Sequence, residues 1–155
     1  MQDILTCAMG LDVHRDIIVA CLVKGAVDAE PEAETRTFST LIPEMQKLRD
    51  WVIESECRNI AMESTGIYWQ PIYEMLESCF DGEISILVVN ARHMKNVPGR
   101  KTDMKDAQWI ATLLRAGLLK GSFIPDKAFR ELRHLTRYRK SVVHDITCLL
   151  YTSDA

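Results

Sequence analysis

The sequence predicts an α/β protein with a mixed five-stranded sheet that is flanked by helices and followed by a long carboxyl-terminal helix. Three apolar, strand-like runs come first and are separated by short polar connections. Helical apolar spacing then alternates with short apolar runs, which is typical of βαβ units. Near the carboxyl end, apolar residues recur at helical spacing over a long stretch, which predicts one long helix.

The first two strands are predicted at residues 7–12 and 17–23, where apolar residues predominate. The polar residues 14–16 between them predict an antiparallel hairpin. Residues 28–34 are rich in acids and are expected to form a loop, and residues 35–38 are expected to form a third strand.

Helices and strands are predicted to alternate over the next part of the chain. Ser39 or Thr40 can cap a helix that continues through Glu54, with its apolar residues on one face. A strand, a helix and another strand then complete a βαβ unit. Their expected positions are residues 59–62, 67–79 and 84–89.

Two further helices are predicted in the carboxyl half. Pro98 and Gly99 interrupt the chain before the first of them. Thr102 can cap this helix, in which apolar residues recur at helical spacing until Gly117 ends it. The long helix opens at Pro125, and its apolar stripe predicts a packing helix or the start of a coiled coil.

The composition is that of a soluble globular protein. Its 155 residues are 47% hydrophobic and 26% charged, which is enough for one domain with a core. Five cysteines are scattered without a CxxC pair, so we expect reduced, mostly buried thiols in a cytosolic protein. No signal peptide is evident and no apolar run approaches about 18 residues, which indicates neither export nor membrane insertion.

Four acids stand where a metal site is favoured: Asp12, Glu63, Asp103 and Asp106. Asp12 lies in a strand-like run, where Asp is depleted, and Glu63 follows a short buried strand, where sites form in α/β sheets. Asp103 and Asp106 are spaced i, i+3, so on a helix both carboxylates can serve one metal cluster. For that pair alone there is an equally good alternative, because acids in a first helical turn favour the positive end of the helix dipole.

The four acids together favour a metal, because converging like charges cost free energy unless a cation neutralises them. Oxygen ligands without Cys or His at ligand spacing favour Mg²⁺ or Mn²⁺ over zinc. A pair of such ions can clamp the attacking and leaving oxygens of a phosphoryl displacement. The acids therefore predict catalytic residues for nuclease or strand-transfer chemistry.

The net charge of −3 conceals an asymmetry along the chain. Residues 1–91 contain 6 Lys and Arg against 16 Asp and Glu, whereas residues 92–140 contain 13 against 4. Basic residues beside a carboxylate cluster suit a polyanionic substrate, although such a run is usually only a solvated face. The residues predicted to contact nucleic acid are Arg92, His93, Lys95, Arg100, Lys101 and Lys105.

Several other conspicuous residues have structural explanations. Three histidines lack partners at ligand spacing and are expected at the surface or in packing: His14, His134 and His144. Tyr68, Trp69 and Tyr73 could stack on bases, but aromatic residues at the start of an amphipathic helix are more often core. Ser64 and Thr65 are expected to act as caps.

Three blocks that contain the four acids occur in a specific order and spacing. They are Gly10-Leu-Asp12-Val-His14, Met62-Glu63-Ser-Thr-Gly66 with Tyr68, and Lys101-Thr-Asp103-Met-Lys-Asp106-Ala107, the last two joined by Asn90-Ala-Arg-His93. With these blocks, residues 5–145 resemble the amino-terminal domain of the DEDD-type insertion-sequence transposases, the family of recombinases guided by a bridge RNA.

The resemblance implies a fold similar to ribonuclease H and the RuvC resolvase, with Asp12, Glu63, Asp103 and Asp106 as magnesium ligands. Residues 1–122 would form this domain, and residues 123–147 would begin a helical or coiled-coil segment. The implied partners are DNA, a structured guide RNA and, for the full-length protein, further copies in a homo-oligomer.

The chain departs from the family at its carboxyl end. Family members continue into a second domain with a serine nucleophile, and nothing here corresponds to it, so we expect a fragment that is inactive in isolation. Residues 148–155 resemble the translation of a sequencing adapter and are treated as a non-native tail.

The favoured hypothesis is a DNA transposase fragment whose metal-binding acids take part in strand cleavage and exchange. Two alternatives stay open: an autonomous metal-dependent nuclease or Holliday-junction resolvase, and a non-catalytic nucleic-acid-binding module. A sugar kinase of the actin-like class is disfavoured, because no glycine-rich phosphate loop follows Asp12.

Overall fold

The computed structural model describes residues 3–63, 65–97 and 105–153. Its strands are β1 (Cys7–Val13), β2 (Ile17–Lys24), β3 (Glu32–Ser39), β4 (Asn59–Glu63) and β5 (Ser85–Val89). Its helices are α1 (Ile42–Ser55), α2 (Trp69–Phe80), α3 (Ala91–Lys95), α4 (Asp106–Arg115) and α5 (Lys127–Ser153). The chain forms two compact units, residues 1–122 and residues 123–155.

The five strands form one mixed sheet in the order β3-β2-β1-β4-β5. β1 pairs antiparallel with β2, and β2 pairs antiparallel with β3. β4 is parallel to both of its neighbours, β1 and β5. The predicted hairpin, the βαβ unit and the mixed five-stranded sheet are therefore confirmed.

Helices cover both faces of the sheet. On one face, Ala8 of β1 and Ala61 of β4 pack in a buried cluster with Ile110 and Leu114 of α4. On the other face, Trp51 of α1 lies against Phe38 of β3 with the ring centroids 6.1 Å apart. The small residues under α4 let its backbone approach the sheet closely, whereas the opposite face is filled by larger side chains.

The carboxyl end of α4 is fixed by Arg115, whose side chain is buried. Its guanidinium donates hydrogen bonds to the carbonyl oxygens of Leu5, Gly25 and Ala26, at 2.8, 3.0 and 2.6 Å. Nη1 also lies 2.9 Å from Oδ2 of Asp3. One side chain therefore ties α4 to the segment that precedes β1 and to the connection that follows β2.

Two segments differ from the sequence prediction, the start of β3 and the helix α3. Residues 32–34 were expected in an acidic loop, but they belong to β3 and pair with residues 22–24 of β2. The exposed acids are compatible with this edge strand because their side chains point into solvent. The short helix α3 was not predicted at all; it is capped by Asn90, whose side chain accepts a hydrogen bond from the Arg92 amide at 2.9 Å.

The predicted caps of α1 are wrong. α1 begins at Ile42 after Leu41, without a capping side-chain hydrogen bond. The Thr40 hydroxyl instead donates to the Arg15 carbonyl oxygen at 3.0 Å, which ties the end of β3 to the β1–β2 turn. The start predicted for α4 at Thr102 lies outside the described residues, and the described helix begins at Asp106.

In the second unit, α5 is a single helix of 27 residues, as predicted. Its apolar side chains, among them Phe129, Leu132, Leu135 and Ile146, are exposed. It includes residues 148–153, whose non-native origin stays a prediction. Among the described helices, none is long and apolar enough to cross a lipid bilayer.

Candidate metal and nucleic-acid site

Asp12 and Glu63 are neighbours on two parallel strands. The register of β1 and β4 pairs Leu11 with Met62, and Asp12 and Glu63 are the next residues on each strand. Paired residues on adjacent parallel strands point to the same face, about 4.8 Å apart along the sheet. The fold therefore brings two acids that are distant in sequence to adjacent positions near the carboxyl ends of their strands.

Both acids point to the face that α4 covers. A Cβ atom at Gly10 would meet Ala107 and Ala111 of α4, and Asp12 is two residues further along the same strand. Ala61 packs against α4, and Glu63 likewise lies two residues beyond it. Side chains two residues apart on a strand share a face, so both carboxylates lie on the α4 side.

Asp106 completes a group of three acids at this edge, here called the acidic edge (Asp12, Glu63 and Asp106). It is the first residue of α4, where the helix dipole favours a negative charge. Glu63 and Asp106 line the same cleft of about 380 Å³, together with Trp109, Ile110 and residues of α3.

Two hydrogen bonds orient acids of this group. Nε2 of His14 lies 3.0 Å from Oδ2 of Asp12, whose side chain is only 14% exposed. The Thr65 hydroxyl donates to Oε1 of Glu63 at 3.2 Å. The expectation that Thr65 caps the following helix is therefore wrong, because α2 begins at Trp69 without a side-chain cap; Ser64 lies outside the described residues.

His14 was missed as a partner of Asp12 by sequence reasoning. Both residues lie at the end of β1 and are separated by one residue, so an extended backbone puts them on the same face. That i, i+2 spacing is the signal that would have found the contact. His14 lies at the surface, as expected, with its side chain 56% exposed, but its contact with Asp12 was not predicted.

The donor chemistry of the acidic edge fits a hard divalent cation, because carboxylate oxygens are the ligands that Mg²⁺ and Mn²⁺ prefer. Within residues 3–63, 65–97 and 105–153, however, no three His, Cys, Asp or Glu side chains converge closely enough to hold an ion. Asp103, the fourth predicted ligand, lies outside these ranges. Asp12, Glu63 and Asp106 therefore lie on the same side and at the same end of the sheet, but these described acids alone do not form a complete metal-binding site.

Cations lie beside the acids. Arg92, Lys95 and Lys105 are exposed, and Lys95 lines the cleft that contains Glu63 and Asp106. His93 is partly buried, and its Nε2 accepts a hydrogen bond from the Lys120 amide at 3.3 Å, so one ring nitrogen is engaged within the fold. Arg100 and Lys101 lie outside the described residues.

The aromatic residues near α2 are less buried than expected. Tyr68 is 42% exposed, so the prediction that it belongs to the core is wrong. Trp69 and Tyr73 are partly buried and meet edge to face, with centroids 5.6 Å apart.

The fold is similar to that of RuvC. The structure of Thermus thermophilus RuvC matches with a TM-score of 0.54 at 12% identity, over 75% of this chain and 99% of RuvC. T. thermophilus RuvC in complex with a Holliday junction substrate matches with the same TM-score and identity, over 76% of this chain and all of that one. At these identities the likeness shows a ribonuclease H-like fold, as predicted.

A resolvase of Fowlpox virus, in complex with Holliday junction DNA, matches with a TM-score of 0.48 at 8% identity, over 71% of this chain and 96% of the resolvase. No curated protein matches this chain in sequence. The model of a transposase family, the DEDD transposases of IS110 type, matches residues 9–151. This match spans nearly the whole chain and includes all four predicted acids, so the chain belongs to the DEDD transposase family of IS110 type.

Proposed function

We propose that this chain supplies the metal-binding carboxylate domain of a DNA transposase and takes part in strand cleavage and exchange. The observation that carries the proposal is the adjacency of Asp12 and Glu63 on β1 and β4, with Asp106 at the same edge, in a chain of a transposase family. Residues 1–122 would form this domain, and residues 123–147 would begin a helical or coiled-coil segment.

The proposed ligands of Mg²⁺ or Mn²⁺ are the acidic edge and Asp103. When bound, the ions would supply Lewis-acid stabilisation of the charge that develops on phosphate oxygens. His14 and Thr65 hold the carboxylates of Asp12 and Glu63 in place, which reduces the side-chain entropy that is lost when a cation binds. The position of Asp106 in the first turn of α4 favours its charged form.

DNA is the proposed substrate. RuvC has been solved with a Holliday junction, and the chain described here shares its fold. Arg92, His93, Lys95, Arg100, Lys101 and Lys105 are the proposed contacts, and the three that are exposed in the described residues flank the acids. We also propose that a structured guide RNA binds the protein and that the full-length protein forms a homo-oligomer. The proposed location is the cytoplasm, which the five free thiols support.

A transposition assay with the Asp12→Asn variant of the complete transposase tests the proposal. The substitution removes a charge without changing the shape of the side chain, so folding persists while strand exchange is abolished. Glu74→Gln on the exposed face of α2 is a control that removes an acid elsewhere and leaves exchange intact. Normal exchange by Asp12→Asn would refute the assignment of Asp12.

The chain alone, with Mg²⁺ or Mn²⁺ and labelled duplex and junction DNA, gives a second test. We expect binding without cleavage, because metal ligands supply only part of a reacting constellation. Efficient metal-dependent cleavage that disappears in Asp12→Asn would replace the proposal with an autonomous nuclease.

A further inference from the structure

A second recess lies on the face of the sheet opposite α4 and has no assigned role. It has a volume of about 220 Å³ and is lined by residues of the β1–β2 turn, β2, α1 and the start of α2. The residues on which the argument rests are Arg15, Ile18, Met45, Tyr68 and Ile72. We call this recess the Tyr68 pocket.

The pocket has an apolar floor and an aromatic wall. Ile18 and Ile72 are each only 1% exposed, so the floor belongs to the core, whereas the Tyr68 ring is partly exposed. Gly66 lies beside this ring, since a Cβ atom there would stand 3.7 Å from two ring carbons. Its φ of +58° favours glycine, so the turn that presents the ring has a defined shape.

The rim of the pocket carries a cation on a fixed backbone. Arg15 lies in the β1–β2 turn, and its side chain is 79% exposed. The turn itself is held by hydrogen bonds from the Thr40 hydroxyl to the Arg15 carbonyl and from the Thr40 amide to the Asp16 carbonyl. The guanidinium approaches Asp16 no closer than 3.9 Å, which is a weak pair at an exposed site.

The Tyr68 pocket and the acidic edge lie at the same end of the sheet. Ile18 pairs with Val13, the residue after Asp12, and Tyr68 follows Glu63 by five residues. A nucleic-acid strand that places one phosphate at the acidic edge can therefore pass over this end of the sheet. Its neighbouring nucleotide then reaches the Tyr68 pocket on the other face.

We propose that the Tyr68 pocket binds an unpaired nucleobase next to the phosphate that lies at the acidic edge. The base stacks on the ring of Tyr68, and Arg15 contacts the phosphate of the same nucleotide. The cation at the rim favours this occupant over an apolar peptide segment, because it complements a phosphate and leaves an apolar partner with an unpaired charge. The inference rests on the proposed function and adds single-stranded recognition to it.

The test combines protein variants with abasic DNA. Affinity of the purified chain is measured by fluorescence anisotropy for a labelled single strand and for a series in which each base in turn is removed. Tyr68→Ala is expected to weaken binding of the intact strand by about 5- to 150-fold, since base stacking on an aromatic ring has that effect. Tyr68→Phe keeps the ring and is expected to bind nearly as well. Tyr138→Ala removes a more exposed tyrosine, 70% against 42%, from α5 and serves as the control.

The decisive result is the coupling between the two changes. If the base occupies the pocket, removal of one particular base weakens binding of the strand to the wild-type chain. For that abasic strand, Tyr68→Ala causes no further loss of affinity. If Tyr68→Ala weakens every strand equally, or none, the pocket does not bind a base and the inference is overturned, while the proposed function stands. If the wild type binds no nucleic acid at all, both proposals fail, so the two failures are distinguishable.

Discussion

A methyl group on Gly10 would lie 2.1 Å from the carbonyl oxygen of Ala107 and 2.5 Å from the amide nitrogen of Ala111. The backbone of α4 therefore rests directly on the backbone of β1, without a side chain between them. This contact sets the height of α4 above the sheet, and with it the position of Asp106 relative to Asp12. The glycine two residues before the first acid is thus part of the architecture of the site.

Gly10→Ala is expected to destabilise the fold by about 3 kcal/mol, because the clashing atoms belong to backbone that cannot move aside without shifting α4. The φ of Gly10 lies outside the left-handed region, so the cost is steric. Gly82→Ala is the comparison, because Gly82 has a φ of +83° and open space around it. Its cost is conformational and about 1–2 kcal/mol. Urea unfolding measures both, and an equal or smaller cost at Gly10 would contradict the close approach of α4.

Arg115→Met is expected to lower the free energy of unfolding by about 3 kcal/mol. The substitution leaves the carbonyl oxygens of Leu5, Gly25 and Ala26 without their donor and removes the partner of Asp3. Arg49→Met, which breaks contacts with the exposed side chains of Asp50 and Cys79, should cost less than about 1 kcal/mol. Denaturant titration distinguishes the two, and similar costs would show that Arg115 is not the anchor of α4.

The strands and most helices could be predicted because each has a local signal. Apolar runs separated by polar turns indicate β1 and β2, and helical spacing indicates α1, α4 and α5. The first residues of β3 have no such signal, since Glu32 and Glu34 are acids in an edge strand and only pairing with β2 orders them. The helix α3 has only five residues, which is too short for a periodic pattern.

The sequence singles out Asp12, Glu63 and Asp106 as candidates, whereas their relative geometry could not be predicted. Asp12 and Glu63 stand out because an acid in or just after an apolar strand is unusual, and this is visible in the sequence. Their adjacency depends on the parallel register of β1 with β4, which is set by tertiary packing. The contacts of His14 and Thr65 have a weak local signal, which is their i, i+2 spacing from Asp12 and Glu63. The anchoring by Arg115 has no such signal, because its hydrogen bonds join residues far apart in sequence.

Mg²⁺ is expected to raise the melting temperature of the chain, because a ligand that binds only the folded state stabilises it by mass action. Glu63→Gln should abolish this rise, since it removes one carboxylate charge from the acidic edge. Glu74→Gln, an exposed position on α2, should leave the rise intact. Differential scanning fluorimetry with increasing Mg²⁺ measures the effect. A rise of equal size in Glu63→Gln would place any bound ion elsewhere.

Replacing Arg92, Lys95 and Lys105 together by Gln is expected to weaken duplex binding and flatten its salt dependence. Each lost phosphate contact reduces the slope of log affinity against log salt by about 0.9. The control replaces Lys24, Lys47 and Arg58, three exposed cations outside the cleft of the acidic edge, by Gln. Binding is measured by anisotropy at several salt concentrations. If the slope falls equally in both triple variants, Arg92, Lys95 and Lys105 contribute only general surface charge and do not form a specific contact.

Folding stability is expected to depend on pH through a pair of cysteines. The neighbouring Cys57 thiol lowers the pKa of Cys7 from 9.0 to about 7, with Lys24 and Arg115 contributing in the same direction. The same contact, together with burial, raises the pKa of Cys57. Between about pH 7 and 9 the unfolded chain therefore binds more protons at Cys7 than the folded chain does, and stability should rise with pH. Above about pH 9 the raised pKa of Cys57 reverses the sign, because the unfolded chain releases a proton that the folded chain keeps.

Cys7→Ser isolates this contribution, since a hydroxyl does not titrate in that range. The rise in the urea midpoint between about pH 7 and 9 should disappear in the variant, and it should persist in Cys79→Ser, which changes an exposed thiol. Alkylation by iodoacetamide gives an independent readout, because only the thiolate reacts. Cys7 should react with a midpoint near pH 7, and the buried Cys57 should be protected at the same pH. If Cys7→Ser keeps the full rise, the pH dependence comes from another group and the thiol pair has no part in it.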